Sequence, residues 1–173
     1  EIVEGLGEFV VSDGCVGAEL AAILNALDAG TYYLTARVEE TVNYTAVEPY
    51  TVRFDVLVAD NSWNVTPYIM QWNYGGYDKT LNVIEAEARY ADENNPVRFT
   101  VSTDAAGKDV IGGLSAFVAP DGVVSDDVAA ALAELDAGLY YLTSTVRATD
   151  NYGALAPAAM KFRISKAANY WDE

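Results

Sequence analysis

Apolar and polar residues alternate along this chain in runs too short for long helices. Val97, Phe99 and Val101 alternate with Arg98 and Thr100, which predicts a strand with one face in a core. Ile84, Ala86 and Ala88 oppose Val83, Glu85 and Glu87 in the same way, so 82–90 is expected as a strand. Looser alternation over 63–71 predicts another, and 114–118 a short one. Further strands are expected over 139–147 and over 159–165, where Met160, Phe162 and Ile164 share a face after Pro157. Turn-rich stretches at 73–76, 91–96 and 104–109 separate them. The period changes once. Val128, Ala131, Leu132 and Leu135 fall at helical spacing behind Ser125-Asp126-Asp127, so a helix is expected with Ser125 as its N-cap and Gly138 closing it.

The same pattern occurs twice. Residues 1–65 and 109–173 align without a gap at an offset of 108, with 28 identities over 65 positions. Leu27-Asp28-Ala29-Gly30 recurs as Leu135-Asp136-Ala137-Gly138, and Tyr32-Tyr33-Leu34-Thr35 as Tyr140-Tyr141-Leu142-Thr143. Asn43-Tyr44 matches Asn151-Tyr152, Phe54 matches Phe162, and Asn61-x-Trp63 matches Asn169-x-Trp171. The helical stripe returns as Leu20, Ile23, Leu24 and Leu27. Asn61 therefore opens a module. Residues 1–60 are expected to be the back part of one repeat, 61–168 a complete repeat and 169–173 the start of the next, with neighbouring repeats as the natural partners. By itself 1–60 would lack the first strands of its module. It is expected to pack against 61–168, to borrow strands from a neighbouring chain, or to have lost its partner.

Charge and composition narrow the chemistry. The net charge of −16 disfavours nucleic acid and anionic membranes as partners. No apolar run approaches the ~20 residues of a membrane span, so direct insertion is not expected. Any export signal or anchor would lie outside these residues. There is no histidine, so a serine–histidine–aspartate arrangement is impossible and catalysis is not expected. Cys15 aligns with Val123, which reads as a small apolar packing position rather than a reactive thiol.

Asp-x-Gly-x-Tyr-x-Leu occurs as Asp28, Gly30, Tyr32, Leu34 and as Asp136, Gly138, Tyr140, Leu142. It resembles the tyrosine corner of immunoglobulin-type sandwiches, in which a tyrosine hydroxyl folds back onto upstream backbone. Asn61-x-Trp63 with Pro67, Trp72-x-Tyr74-Gly75, Tyr90, Val97-x-Phe99, Asp136-Ala137-Gly138-x-Tyr140-Tyr141, Asn151-Tyr152 and Phe162-x-Ile164-Ser165-Lys166 together resemble the Ig-like repeats of cell-wall-anchored surface proteins of Gram-positive bacteria. The resemblance implies a mostly β protein: Ig-like antiparallel sandwich repeats, here each with a short helix inserted before the Asp-Ala-Gly-x-Tyr-Tyr strand. It also implies an extracellular, wall-attached stalk, spacer or adhesin with no catalytic residues. Some such domains carry a lysine isopeptide cross-link. Lys161 would be placed for one, but its repeat counterpart is Arg53, which cannot form it.

Two binding alternatives remain. Trp72, Tyr74 and Tyr77 form a glycine-broken aromatic cluster that reads either as packing at an inter-module joint or the edge of the core or, provided the rings are exposed and coplanar, as a surface that stacks on a glycan or anchors a host protein. Asp104 and Asp109 are the candidate calcium ligands, with Asp92, Glu93 and Asn94 in a second acidic loop. No other cofactor is expected.

Overall fold

The structure is a computed structural model that describes residues 16–169, together with Val3 and Leu6. Cys15 and Trp171, singled out in the sequence, lie outside the described residues. The chain divides into two units, Glu1–Ala59 and Asp60–Glu173. The protein is mostly β, with packed sheets compatible with a β-sandwich.

The second unit holds strands β3 (Trp63–Ile69), β4 (Trp72–Asn73), β5 (Ile84–Ala88), β6 (Arg98–Ser102), β7 (Val110–Phe117), β8 (Gly138–Thr145) and β9 (Ala158–Ser165). Helix α2 (Asp126–Ala133) precedes β8. Five strands form one sheet in the order β4-β9-β8-β6-β7, and β3 pairs with β5 in a second. All pairings are antiparallel except the short one between β4 and β9. The alternation anticipated for β6 and β9 places Phe99, Val101, Phe162 and Ile164 in the core, where Ile69, Ile84, Leu114 and Leu142 meet them. Val128, Leu132 and Leu135 bring the helical stripe into the same cluster, and α2 packs along β7. A smaller cluster of Ala88, Val97 and Val146 takes in Trp63 and Leu155.

Ser125 is the N-cap as expected, with extended backbone, although its side chain makes no capping bond. Two local expectations need correction. Gly138 does not close the helix. The helix ends at Ala133 with Glu134 as its C-cap, and Gly138 is the first residue of β8. Strand β7 begins at Val110, four residues before Leu114, because its pairing with β6 continues past Gly112-Gly113 to Ser102. One glycine here is obligatory. Gly122 has φ +71°, and a Cβ there would sit 2.9 Å from the Ile84 carbonyl oxygen.

Ser144 on β8 is fully buried, and its hydroxyl has no hydrogen-bond partner. The first repeat has Ala36 at this position. Ser144→Ala is therefore expected to stabilise the second unit by about 1 kcal/mol, since a buried, unpaired hydroxyl carries its desolvation cost uncompensated. Urea unfolding would show the gain as a higher midpoint at unchanged slope.

The first unit holds helix α1 (Ala18–Asn25) and a hairpin of β1 (Gly30–Val38) and β2 (Val47–Val56). β1 and β2 occupy the positions of β8 and β9, and the register is the same in both. Tyr32 faces Phe54 as Tyr140 faces Phe162, and Leu34 faces Val52 as Leu142 faces Met160. The ring pairs stack alike, at 5.6 Å for Tyr32–Phe54 and 5.7 Å for Tyr140–Phe162. The shared motif has produced the same local structure twice. The surroundings differ, because α1 has no buried residue whereas α2 buries Val128 and Leu132.

Candidate functional site

The repeated Asp-x-Gly-x-Tyr element has a local mechanism. Tyr32 Oη donates to the Asp28 carbonyl at 2.9 Å, and Tyr140 Oη donates to the Asp136 carbonyl at 2.9 Å. Reaching four residues back carries the ring over the glycine between them. A Cβ on Gly138 would meet the Tyr140 ring at 3.3 Å, and one on Gly30 would meet the Tyr32 ring at 3.7 Å. Glycine leaves room for the folded-back ring, and the hydrogen bond fixes the turn into the strand. Burial, helped by the Asp136 carboxylate, pushes the Tyr140 phenol above the ordinary tyrosine value, so it stays a donor at neutral pH. A second repeated element is Thr-x-Asn-Tyr. Thr41 N–H donates to the Tyr44 carbonyl and Tyr44 N–H to Thr41 Oγ1, and Thr149 and Tyr152 make the same two bonds. That turn was legible as a recurring string, but only its Asn-Tyr was singled out.

Asn61-x-Trp63 is a structural clasp. Asn61 Oδ1 accepts from the Ser62 and Tyr90 N–H groups, which ties the start of β3 to the end of β5. Trp63 Nε1 donates to the Ala156 carbonyl at 3.0 Å, between the turn and β9. Tyr90 stacks on Tyr152 at 4.2 Å with 8° between planes, a contact that sequence reasoning missed because Tyr90 occurs in one copy only.

The aromatic cluster does not form an exposed platform. Trp72 is 7 % exposed and stacks on Phe162 at 5.5 Å. Tyr77 meets Trp72 edge-on at 66°, so the rings are not coplanar. Burial pushes the Tyr77 phenol up to about 12, and the Asp78 carboxylate adds to the rise. Tyr74 stands apart from this pair, half exposed. Trp72 is in the core because β4 pairs with β9 and sets Trp72 opposite Ile164. A flat sugar-stacking surface made of these three rings is thus corrected to a core edge with one exposed tyrosine.

The acidic loops are organised by their own backbone. Asp104 accepts N–H bonds from Ala106, Lys108 and Asp109 at 2.6–2.9 Å. Asp92 accepts from Asn94 and Asn95, both at 2.8 Å. Asp104 and Asp109 are linked by a carboxylate-to-backbone bond, and among the described residues no group of three His, Cys, Asp or Glu gathers as a metal site. The Asp109 N–H bond, followed by those of Ala106 and Lys108, holds the Asp104 carboxyl below the ordinary aspartate value. A depressed folded-state pKa gives stability that is complete above the unfolded value of about 3.9 and is lost as pH falls through the lower folded one. The 104–109 loop is therefore expected to stay closed at neutral pH and to open only below about pH 4. A carboxyl-carbon NMR titration of Asp104 checks this, and a midpoint at or above the free-aspartate value would refute it.

An open groove of about 840 Å³ runs along β5 and the 118–122 loop. Val65, Ala86, Ala88, Val97 and Val118 give it an apolar floor, and Glu85, Glu87 and Asp121 lie at its sides. It contains acids and aliphatics but no nucleophile paired with a base. Lys79 pairs with Asp126 across the surface. That bond is the first cause of the lowered Asp126 carboxyl, and both groups are largely in solvent. No helix of the described residues is long and apolar enough to cross a membrane. Comparison of the chain with family profiles, with curated proteins and with solved structures gave no match.

Proposed function

We propose that the chain is a non-catalytic structural or adhesive module, a tandem Ig-like repeat serving as stalk, spacer or adhesin in an extracellular bacterial surface protein. One observation carries this reading. The 108-residue offset is realised as one hairpin in one register, with the same tyrosine hydroxyl bond, in both units. Repetition of a whole structural element is the signature of an array, whose value lies in reach and number rather than in one reactive centre. The Ig-like assignment draws on the sheet order β4-β9-β8-β6-β7 with β3-β5 as the second layer, and on the tyrosine fold-back at the start of β8. Helix α2 stands just before β8, between the hairpin β6–β7 and the corner. The acidic surface suits mutual repulsion between modules and keeps an array extended.

The test is solution scattering from a chain of four or more 108-residue modules. A maximum dimension that grows in proportion to module number supports a stalk, and a compact profile refutes it. A glycan and protein array probed with the whole chain separates spacing from sticking. Reproducible capture of one ligand class would make the module an adhesin.

A further inference from the structure

The two hairpins match in sequence, register and local hydrogen bonds, and differ in what covers them. Leu142 is 0 % exposed and its counterpart Leu34 is 65 % exposed. Phe162 is buried, and Phe54 on the first hairpin is exposed. In the second unit residues 61–108 supply the cover, in four ways. Strand β6 pairs along the outer edge of β8, setting Val101 opposite Leu142. Trp72 stacks on Phe162 and Tyr90 on Tyr152. Trp63 closes the Ala156 carbonyl. Each receiving position has its counterpart in the first unit: Leu34, Phe54, Tyr44 and the backbone of Glu48. Tyr44 is 77 % exposed, and β1 pairs with β2 alone among the described residues.

We infer that the apolar face and open edge of β1–β2 are a receiving surface for the front segment of a further repeat: a polypeptide with the Trp63, Trp72, Tyr90, Phe99 and Val101 pattern of residues 61–108. It docks by strand addition along β1 and by ring insertion over Phe54 and Tyr44. The occupant is specified by the chemistry of the vacant positions. They need a β-strand with alternating large apolar residues for the Leu34 edge, an indole for Phe54 and a planar phenol for Tyr44. A generic apolar strand would meet neither ring position. The inference rests on the repeat, not on a surface location or a stalk role, so either can fail without the other.

The experiment extends the whole chain with a second copy of residues 61–108 joined ahead of Glu1. The join places Lys108 directly ahead of Glu1, the counterpart of Asp109. Amide hydrogen exchange is followed over 30–38 in the original and extended chains. The expected result is slowing by roughly a hundredfold, to the level of 138–145, as an open strand becomes an internal one. An extended chain carrying Phe99→Asp and Val101→Asp in the added copy only is expected to exchange as fast as the original. Unchanged exchange in the extended chain would overturn the inference. So would slowing that survives the two aspartates, because the cover would then not depend on the strand pattern. An original chain in which 30–38 is already as protected as 138–145 would also overturn it.

Discussion

Leu142→Ala is expected to lower the stability of the second unit by about 2–5 kcal/mol, while Leu34→Ala, the same substitution at the same register of the same hairpin, costs well under ~1 kcal/mol. Leu142 lies in the five-stranded sheet among Phe99, Val101 and Phe162 with no exposed surface. Truncation there removes transfer free energy and leaves a cavity that rigid neighbours cannot fill. Leu34 has solvent over two-thirds of its surface, so truncation removes little burial and leaves no cavity. Propensity and turn chemistry are nearly equal at the two sites, so the difference isolates tertiary context. Urea unfolding of both variants, read by far-ultraviolet circular dichroism, which reports the strands of both units, measures it. Equal losses would mean that the first hairpin is buried in solution.

Trp72→Ala is expected to cost about 3–5 kcal/mol, and Tyr74→Ala less than ~1 kcal/mol. Trp72 is held between Phe162 and Tyr77 at the sheet edge, and Tyr74, two residues on, is half exposed. A ligand-stacking tryptophan would show the reverse: little change in stability and a loss of binding. Thermal unfolding with a glycan-array readout on the same two variants separates these outcomes. The Tyr77 phenol supplies an optical check. Burial pushes it up to about 12, and Trp72→Ala, by uncovering the ring that packs edge-on against Trp72, should bring it back toward the ordinary tyrosine value.

The strands were legible where alternation was strict. Val97–Val101 and Ala159–Ser165 fell within one residue of β6 and β9, because a period of two with large apolar residues leaves one register. Helix α2 was legible for the same reason, at its own period. Its end was not. Leu135 continues the apolar stripe beyond the last helical turn, so periodicity runs on after the backbone has left the helix. Gly138 looked like a helix stop because glycine commonly ends helices. Its actual role, making room for the Tyr140 ring, depends on a fold-back that no window of sequence displays. Trp72 stays open in the sequence between a ligand surface and core-edge packing, for want of a second copy. A Gly-broken aromatic run suits either, and the parallel pairing of two residues with β9 is too short to leave a pattern. The exposure of β1–β2 was the least accessible feature. Leu34 and Leu142 are the same letter in the same motif, and only neighbours distant in sequence tell them apart.

A surface that invites strand addition is also an aggregation hazard, since any exposed strand can try it. Residues 1–60 carry eleven Asp and Glu against two Arg, and Glu39, Glu40, Glu48 and Asp55 sit on or beside the hairpin. Such charges act as gatekeepers. They tax every wrong copy that approaches the open edge, at a rate set by ionic strength rather than by contact geometry. A front segment with the right rings recovers that cost through packing, and a random strand does not. The acidity of this half of the chain is then a kinetic filter on assembly: salt lowers the barrier to mispairing, and the 108-residue register decides which pairing lasts.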